Sequence, residues 1–151
     1  MVLISNSIKR RCKTTKVYRG SEEGFNTSVF HRLCDGIAPS LTIIKSEHGR
    51  VFGGFTTVPW GLTQGKNGQP QPAAYKKDSE AFIFSFTHQT IHRIMKDKED
   101  QAVNCVKDRL QCFGMWDLYI SDNCNENQNS VADLGACYTL PIGMKYKSEA
   151  A

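Results

Sequence analysis

Bulky apolar residues alternate with polar ones over several short stretches of this chain, the period of two expected of half-buried strands. The densest stretch is Arg50-Val51-Phe52-Gly53-Gly54-Phe55-Thr56-Thr57-Val58-Pro59-Trp60. Val51, Phe52, Phe55 and Val58 suit a pleated, largely buried surface, and Pro59, which cannot donate to a ladder, ends the strand. Upstream, residues 40–46 (Ser-Leu-Thr-Ile-Ile-Lys-Ser) are β-branched, and Glu47-His48-Gly49 is a short turn, so the two stretches predict a β-hairpin. Residues 80–86 predict a third strand, aromatic enough to be central, and Trp116 to Ser121 a further one. Shorter strands are predicted over Lys16 to Arg19 and over Ala136 to Leu140, the latter ending at Pro141.

The pattern changes to a helical period after Asn26. With Asn26 as N-cap, Phe25 and Phe30 occupy the two positions of a hydrophobic staple, and Phe30, Leu33 and Cys34 share one face. Asp35-Gly36 ends the helix, glycine suiting the left-handed position beyond it. Residues 87–113 fit two readings: Ile91, Ile94, Met95, Val103, Val106 and Leu110 form a helical stripe, while residues 102–106 alone pass as a strand. Residues 61–78 read as a long loop, and residues 122–130 as a polar turn cluster rich in Asn.

The glycine pair interrupts its strand, because paired glycines weaken a strand unless a bulge, a neighbouring backbone or an aromatic ring needs the space. A phosphate cradle is the competing reading, but no GxGxxG or GxxxxGK[ST] pattern surrounds Gly53-Gly54 and no helix start follows.

Composition adds the class. A chain of 151 residues, 40% hydrophobic and 23% charged, fits one soluble domain with a single core, and no apolar run approaches a membrane span. The net charge of +4 is uneven: Lys9, Arg10, Arg11, Lys13, Lys16 and Arg19 precede the first acid, Glu22, leaving thirteen basic against fifteen acidic residues in the rest. That balance predicts a basic N-terminal arm over residues 1–15, a folded domain over 16–151, and no nucleic-acid surface. The arm has no secretory signal; an Arg-rich, acid-free start also fits a mitochondrial transit peptide. Six scattered cysteines without a CxxC read as reduced thiols in a cytoplasmic setting.

Candidate chemistry is sparse. His31 and Cys34 lie three apart on the helix, but Cys34 sits on its apolar face at the C-terminal end, where the dipole opposes a thiolate. His88 and His92 are at i, i+4, yet Gln89 stands where HExxH has its glutamate, and no further ligands have zinc spacing. Residues 122–133 lack the glycine and glutamate of a calcium loop. Cys124, in the polar loop, is the redox candidate by exposure alone. No triad, metal set or cofactor motif emerges, and the expectation is a chain without cofactor or catalytic residues.

Taken in order, Tyr18-Arg19, Gly24-Phe25, Phe30-His31, Cys34-Asp35, residues 41–45, Val51-Phe52-Gly53-Gly54-Phe55, Trp60, Asp78 and Ala81-Phe82-Ile83-Phe84-Ser85 resemble the TLDc domain. The resemblance continues through Phe113-Gly114, Asp117-Leu118-Tyr119-Ile120 and Leu134-Gly135 to Tyr138. It implies a two-sheet antiparallel β-sandwich with peripheral helices, in which residues 102–120 are loop and strand. It also implies a non-enzymatic interaction domain, linked in this family to protection against oxidative damage and to binding the vacuolar proton-pumping ATPase. A structural subunit of a ciliary, mitochondrial or ATPase assembly and a redox-active thiol protein are the alternatives. Arg109-Leu110-Gln111-Cys112 departs from the Gly-Pro common in relatives. The family's leading helix is shortened or missing, and its terminal strand has no counterpart after Tyr138, which is expected of a fragment or of a sheet edge open to a partner strand.

Overall fold

The computed structural model describes residues 2–8, 13–62, 69 and 74–144. Two four-stranded antiparallel sheets face each other. The first holds β1 (Ser40–Lys45), β2 (Val51–Thr56), β4 (Phe82–Ser85) and β5 (Thr90–Arg93) in the order β1-β2-β4-β5. The second holds β3 (Ala74–Lys76), β6 (Val103–Cys105), β7 (Arg109–Phe113) and β8 (Leu118–Ser121) in the order β3-β6-β7-β8. This is the expected β-sandwich, with three short helices among the described residues, α1 (Val2–Ser5), α2 (Gly20–Glu23) and α3 (Thr27–Cys34).

The predicted hairpin is β1–β2, in register from Ser40 opposite Thr56 to Lys45 opposite Val51. Its turn is closed by Ser46 N–H donating to Arg50 O and Gly49 N–H to Ser46 O, with Gly49 at φ 73°. The third strand is β4, central between β2 and β5 as expected. Helix α3 is capped by the Asn26 side chain, which accepts from Ser28 N–H at 2.9 Å, and Gly36 beyond it has φ 78°.

Strand alternation divides the apolar residues between two clusters. Ile83 points inward to the main core with Phe30, Trp60, Val103, Phe113 and Tyr138. Phe82 and Phe84 point outward, where they are buried with Phe55 under Ile4 of α1, and Ile8, Leu41 and Ile91 pack against that group. The aromatic character of β4 follows from its having both faces covered. The stretch read as a basic arm thus includes a helical turn seated on the sheet; Lys9, Arg10 and Arg11 lie outside the described residues.

Two expected strands are corrected, and one open stretch is resolved. Lys16 to Arg19 pairs with no strand; Tyr18 is half-buried against Phe30, while exposed Lys16 and Arg19 reach Glu22, and Arg19 N–H donates to Glu23. Residues 87–113, whose pattern fits both a helix and a strand, form strands β5, β6 and β7 around a 3-10 turn (Glu99–Gln101), with β5 in a hairpin with β4 and β6 paired to both β7 and β3. Residues 136–140 make one bridge, Tyr138 to Ile94, rather than a strand.

Candidate interaction surface

The residues that carry the resemblance are fixed by packing. A Cβ on Gly54 would lie 2.5 Å from Cζ of Phe113, and one on Gly53 would lie 1.9 Å from the Thr42 carbonyl oxygen. Both reasons for the pair are therefore present, an aromatic ring at one glycine and a neighbouring backbone at the other. Phe113 meets Trp60 and Tyr138 edge-on, at centroid separations of 5.4 and 6.3 Å. Trp60 Nε1–H donates to Ser40 Oγ at 2.9 Å, and Tyr138 O–H to Ala102 O at 2.7 Å. Phe52 packs at the margin of this core. Gly24, at φ 98°, accepts from Tyr18 O–H through its carbonyl, and the Phe25 ring lies where a Cβ on Gly20 would be.

Asp117 is the polar centre of this arrangement. Its carboxylate is fully buried and accepts from the backbone N–H groups of Gly135, Ala136, Cys137 and Tyr138 at 3.0 to 3.1 Å. Gly114, at φ 65°, leaves room for it: a Cβ there would sit 2.2 Å from Asp117 Oδ2. Gly135 has φ 113°. These hydrogen bonds replace the strand ladder expected over residues 136–140 and tie that segment to the β7–β8 turn. Asp78 plays a similar part, accepting from Thr56 Oγ1, Thr57 N–H and Oγ1, and Glu80 N–H. Both aspartates stand within the family resemblance, but their roles as buried acceptors have no signature in spacing.

The candidate reactive groups are not assembled into a site. Cys34 is buried and its thiol is pushed up to about 11 by burial, then by Asp35. His31 Nδ1 faces Asp35 Oδ1 at 2.8 Å and Nε2 faces Arg109 O at 3.0 Å, so the ring is not free to serve Cys34 as a base. Cys124 is half-buried, and burial followed by Asp122 raises its thiol, opposite to the direction a reactive thiolate requires. Burial also raises Cys105, Cys112 and Cys137. His88 and His92 do not share a helix face: His88 lies in the β4–β5 turn beside Arg50, and buried His92 spends its ring nitrogens on Thr139 O and Thr90 Oγ1. Among the described residues no group of three or more His, Cys, Asp or Glu side chains could hold a metal ion. No helix among them is long and apolar enough to cross a membrane.

The second sheet presents aromatic side chains outward. Alternation on the second sheet sends Val103, Phe113 and Leu118 inward and sets Tyr75, Asn104, Cys112 and Tyr119 on the outer face, Tyr75 opposite Asn104 and Cys112 opposite Tyr119. The Arg109 guanidinium lies over Trp116 at 4.6 Å and over Tyr119 at 5.2 Å. Trp116 adopts φ 82° in the β7–β8 turn, a conformation unusual for a bulky residue, and packs edge-on to Tyr119 at 4.9 Å. Tyr75, Met115 and Trp116 remain 43, 44 and 45% exposed. Opposite Tyr75, the buried Asn104 Oδ1 atom has no hydrogen-bond partner among the described residues. Trp, Tyr, Met and Arg are the side chains enriched in protein interfaces, and Trp, Tyr and Arg dominate their binding energy. The sequence reading places Trp116 in a strand; the signal it misses is a pair of large apolar residues, Met115-Trp116, directly after Phe113-Gly114 in a turn.

The profile of the family described as the TLDc domain matches residues 1–148 of the chain. The match includes both sheets, all three helices and the segment held by Asp117.

Proposed function

The chain belongs to the TLDc domain family, and from that premise we propose that it is a non-enzymatic protein-interaction domain whose partner is the soluble sector of the vacuolar proton-pumping ATPase. Through that contact it serves the protection against oxidative damage with which the family is linked. The observation that carries the interaction reading is the outward group in which half-buried Arg109 and Tyr119 are ordered against Trp116, with Trp116, Met115 and Tyr75 still exposed. Pre-ordering matters because fixing rotamers on binding costs about 0.5–1.5 kcal/mol for each mobile side chain. The non-enzymatic reading is supported by thiols raised by burial and by histidines engaged in structural hydrogen bonds. The partner itself rests on the family alone.

The test is titration of purified soluble ATPase sector with the full chain, read by light scattering for association and by ATP hydrolysis for regulation. Saturable binding with a change in hydrolysis rate supports the reading. An absence of saturable binding up to tens of micromolar, or enzymatic turnover of peroxide by the chain alone that one point substitution abolishes, overturns it.

A further inference from the structure

At the end of the sandwich where β2 begins and the β4–β5 turn lies, a cavity of about 670 Å³ opens between the sheets. Its wall is apolar, formed by Phe52, Ile83, Leu118, Leu134, Leu140 and Met144. Ile83 and Leu118 belong to the main core and Phe52 and Leu134 pack against it, so the cavity adjoins the interior of the sandwich. A volume of this size lies within the range of about 300–1,000 Å³ that holds small-molecule ligands.

The polar groups of the wall decide the chemistry of an occupant. His92 has both ring nitrogens engaged, and Asp117 has its oxygens filled by four backbone N–H groups. Thr90 Oγ1 is spent on His92, Ser85 Oγ on His88 N–H, and Asp133 has a partner of its own. Arg50 differs. It is exposed, its guanidinium reaches His88 Nε2 at 3.3 Å, and no carboxylate among the described residues forms an ion pair with it. A guanidinium carries five donors and has several left for an anion. The geometry points to a site for an amphiphilic anion, its hydrocarbon body between the sheets and its carboxylate at Arg50. The body is selected by displacement of water from the apolar wall, and the head by a charge-assisted hydrogen bond at the mouth. Because Arg50 is exposed, the head contributes a modest part of the affinity.

Dodecanoate, kept below its micelle concentration, and dodecanol are suitable probes, with binding to the full chain measured by native mass spectrometry and by the shift in thermal midpoint. The expected result is one dodecanoate per chain, bound about three- to tenfold more tightly than dodecanol. Arg50→Gln removes that preference while leaving dodecanol binding unchanged, and Leu134→Trp, which fills the cavity, abolishes both. Each variant is compared with the unliganded wild-type midpoint, so misfolding is seen separately from lost binding; Leu134→Met supplies a second, milder change that keeps the site open. Binding of several molecules per chain, retention of the carboxylate preference in Arg50→Gln, or retention of binding in a folded Leu134→Trp overturns the site. So does an empty cavity at saturating probe, the outcome expected if the opening receives a strand of a partner protein instead.

Discussion

Replacement of Gly54 by valine tests the packing account at its tightest point. The three ring atoms of Phe113 nearest an added Cβ lie at 2.5, 2.6 and 2.9 Å, whereas carbon atoms rest about 3.5–4.0 Å apart, so each contact is short by about 1 Å. The ring has no free direction to retreat. Phe113 is fully buried and is braced by Trp60 and Tyr138. Overpacking of this kind costs about 1–3 kcal/mol, and the two γ-methyls of valine place the substitution toward the upper end. Against this stand the removal of glycine's unfolded-state entropy and the higher β-propensity of valine, worth together about 1 kcal/mol. The net expectation is a loss of about 1–2 kcal/mol, which at ~2–4 °C per kcal/mol for a chain of this size lowers the thermal midpoint by about 2–8 °C. Differential scanning fluorimetry and urea unfolding of Gly54→Val, Phe113→Leu and the double variant measure it. Since the smaller side chain vacates the space that valine needs, the double variant should be less destabilised than the two single losses combined. An unchanged or raised midpoint for Gly54→Val, or strict additivity in the cycle, refutes the reasoning.

Other consequences follow from the buried polar groups. Asp117→Asn exchanges one acceptor oxygen for a donor facing backbone N–H groups that are already donors, so a loss of about 2–4 kcal/mol is expected in urea unfolding, larger than for an exposed aspartate such as Asp108. Burial holds His92 below its ordinary value of 6.5. Its contribution to stability is therefore complete above pH 6.5 and is lost as the pH falls through the lower folded value, and His92→Gln should flatten the midpoint against pH between 7 and 5 relative to wild type. Cys34 and Cys112 shift the opposite way, from 9.0 to about 11, so their contribution is complete below pH 9 and is lost as the pH rises toward 11. With Cys105, Cys124 and Cys137 also raised, iodoacetamide at pH 7.5 should alkylate Cys34, Cys105, Cys112, Cys124 and Cys137 in the native chain more slowly than free cysteine; any of these five reacting faster would restore the redox reading.

The elements legible in the sequence are those fixed by neighbours along the chain. The β1–β2 hairpin shows itself through alternation and a glycine-ended turn, and α3 through an Asn cap placed before a helical period. The glycine pair signals a close approach, though which ring and which carbonyl occupy the space depends on Phe113, nearly sixty residues away in the chain. Residues 87–113 resist the same reading because β5 and β6 are short and fall in different sheets, β5 in a hairpin with β4 and β6 paired to β3 across the intervening strands of the first sheet. A stripe at helical spacing then arises by accident. Lys16 to Arg19 shows the converse, β-propensity without a partner strand, and residues 136–140 are ordered by a side-chain carboxylate that no backbone pattern encodes. The outward cluster was illegible for a related reason: Arg109, Trp116 and Tyr119 come together only once β7 and β8 are in register, and Tyr75 joins the same face through β3, with β6 between.

The central claim is that the family's glycines and aromatics build the scaffold while the outward arginine–aromatic cluster makes the contact. Titration of purified soluble ATPase sector with Met115→Ala/Trp116→Ala tests it most directly, with the thermal midpoint of the variant recorded alongside. The account predicts a midpoint within about 2 °C of wild type and binding weakened by at least about tenfold, since hot-spot truncations cost about 2 kcal/mol or more. Wild-type affinity in a variant with an unchanged midpoint would contradict it.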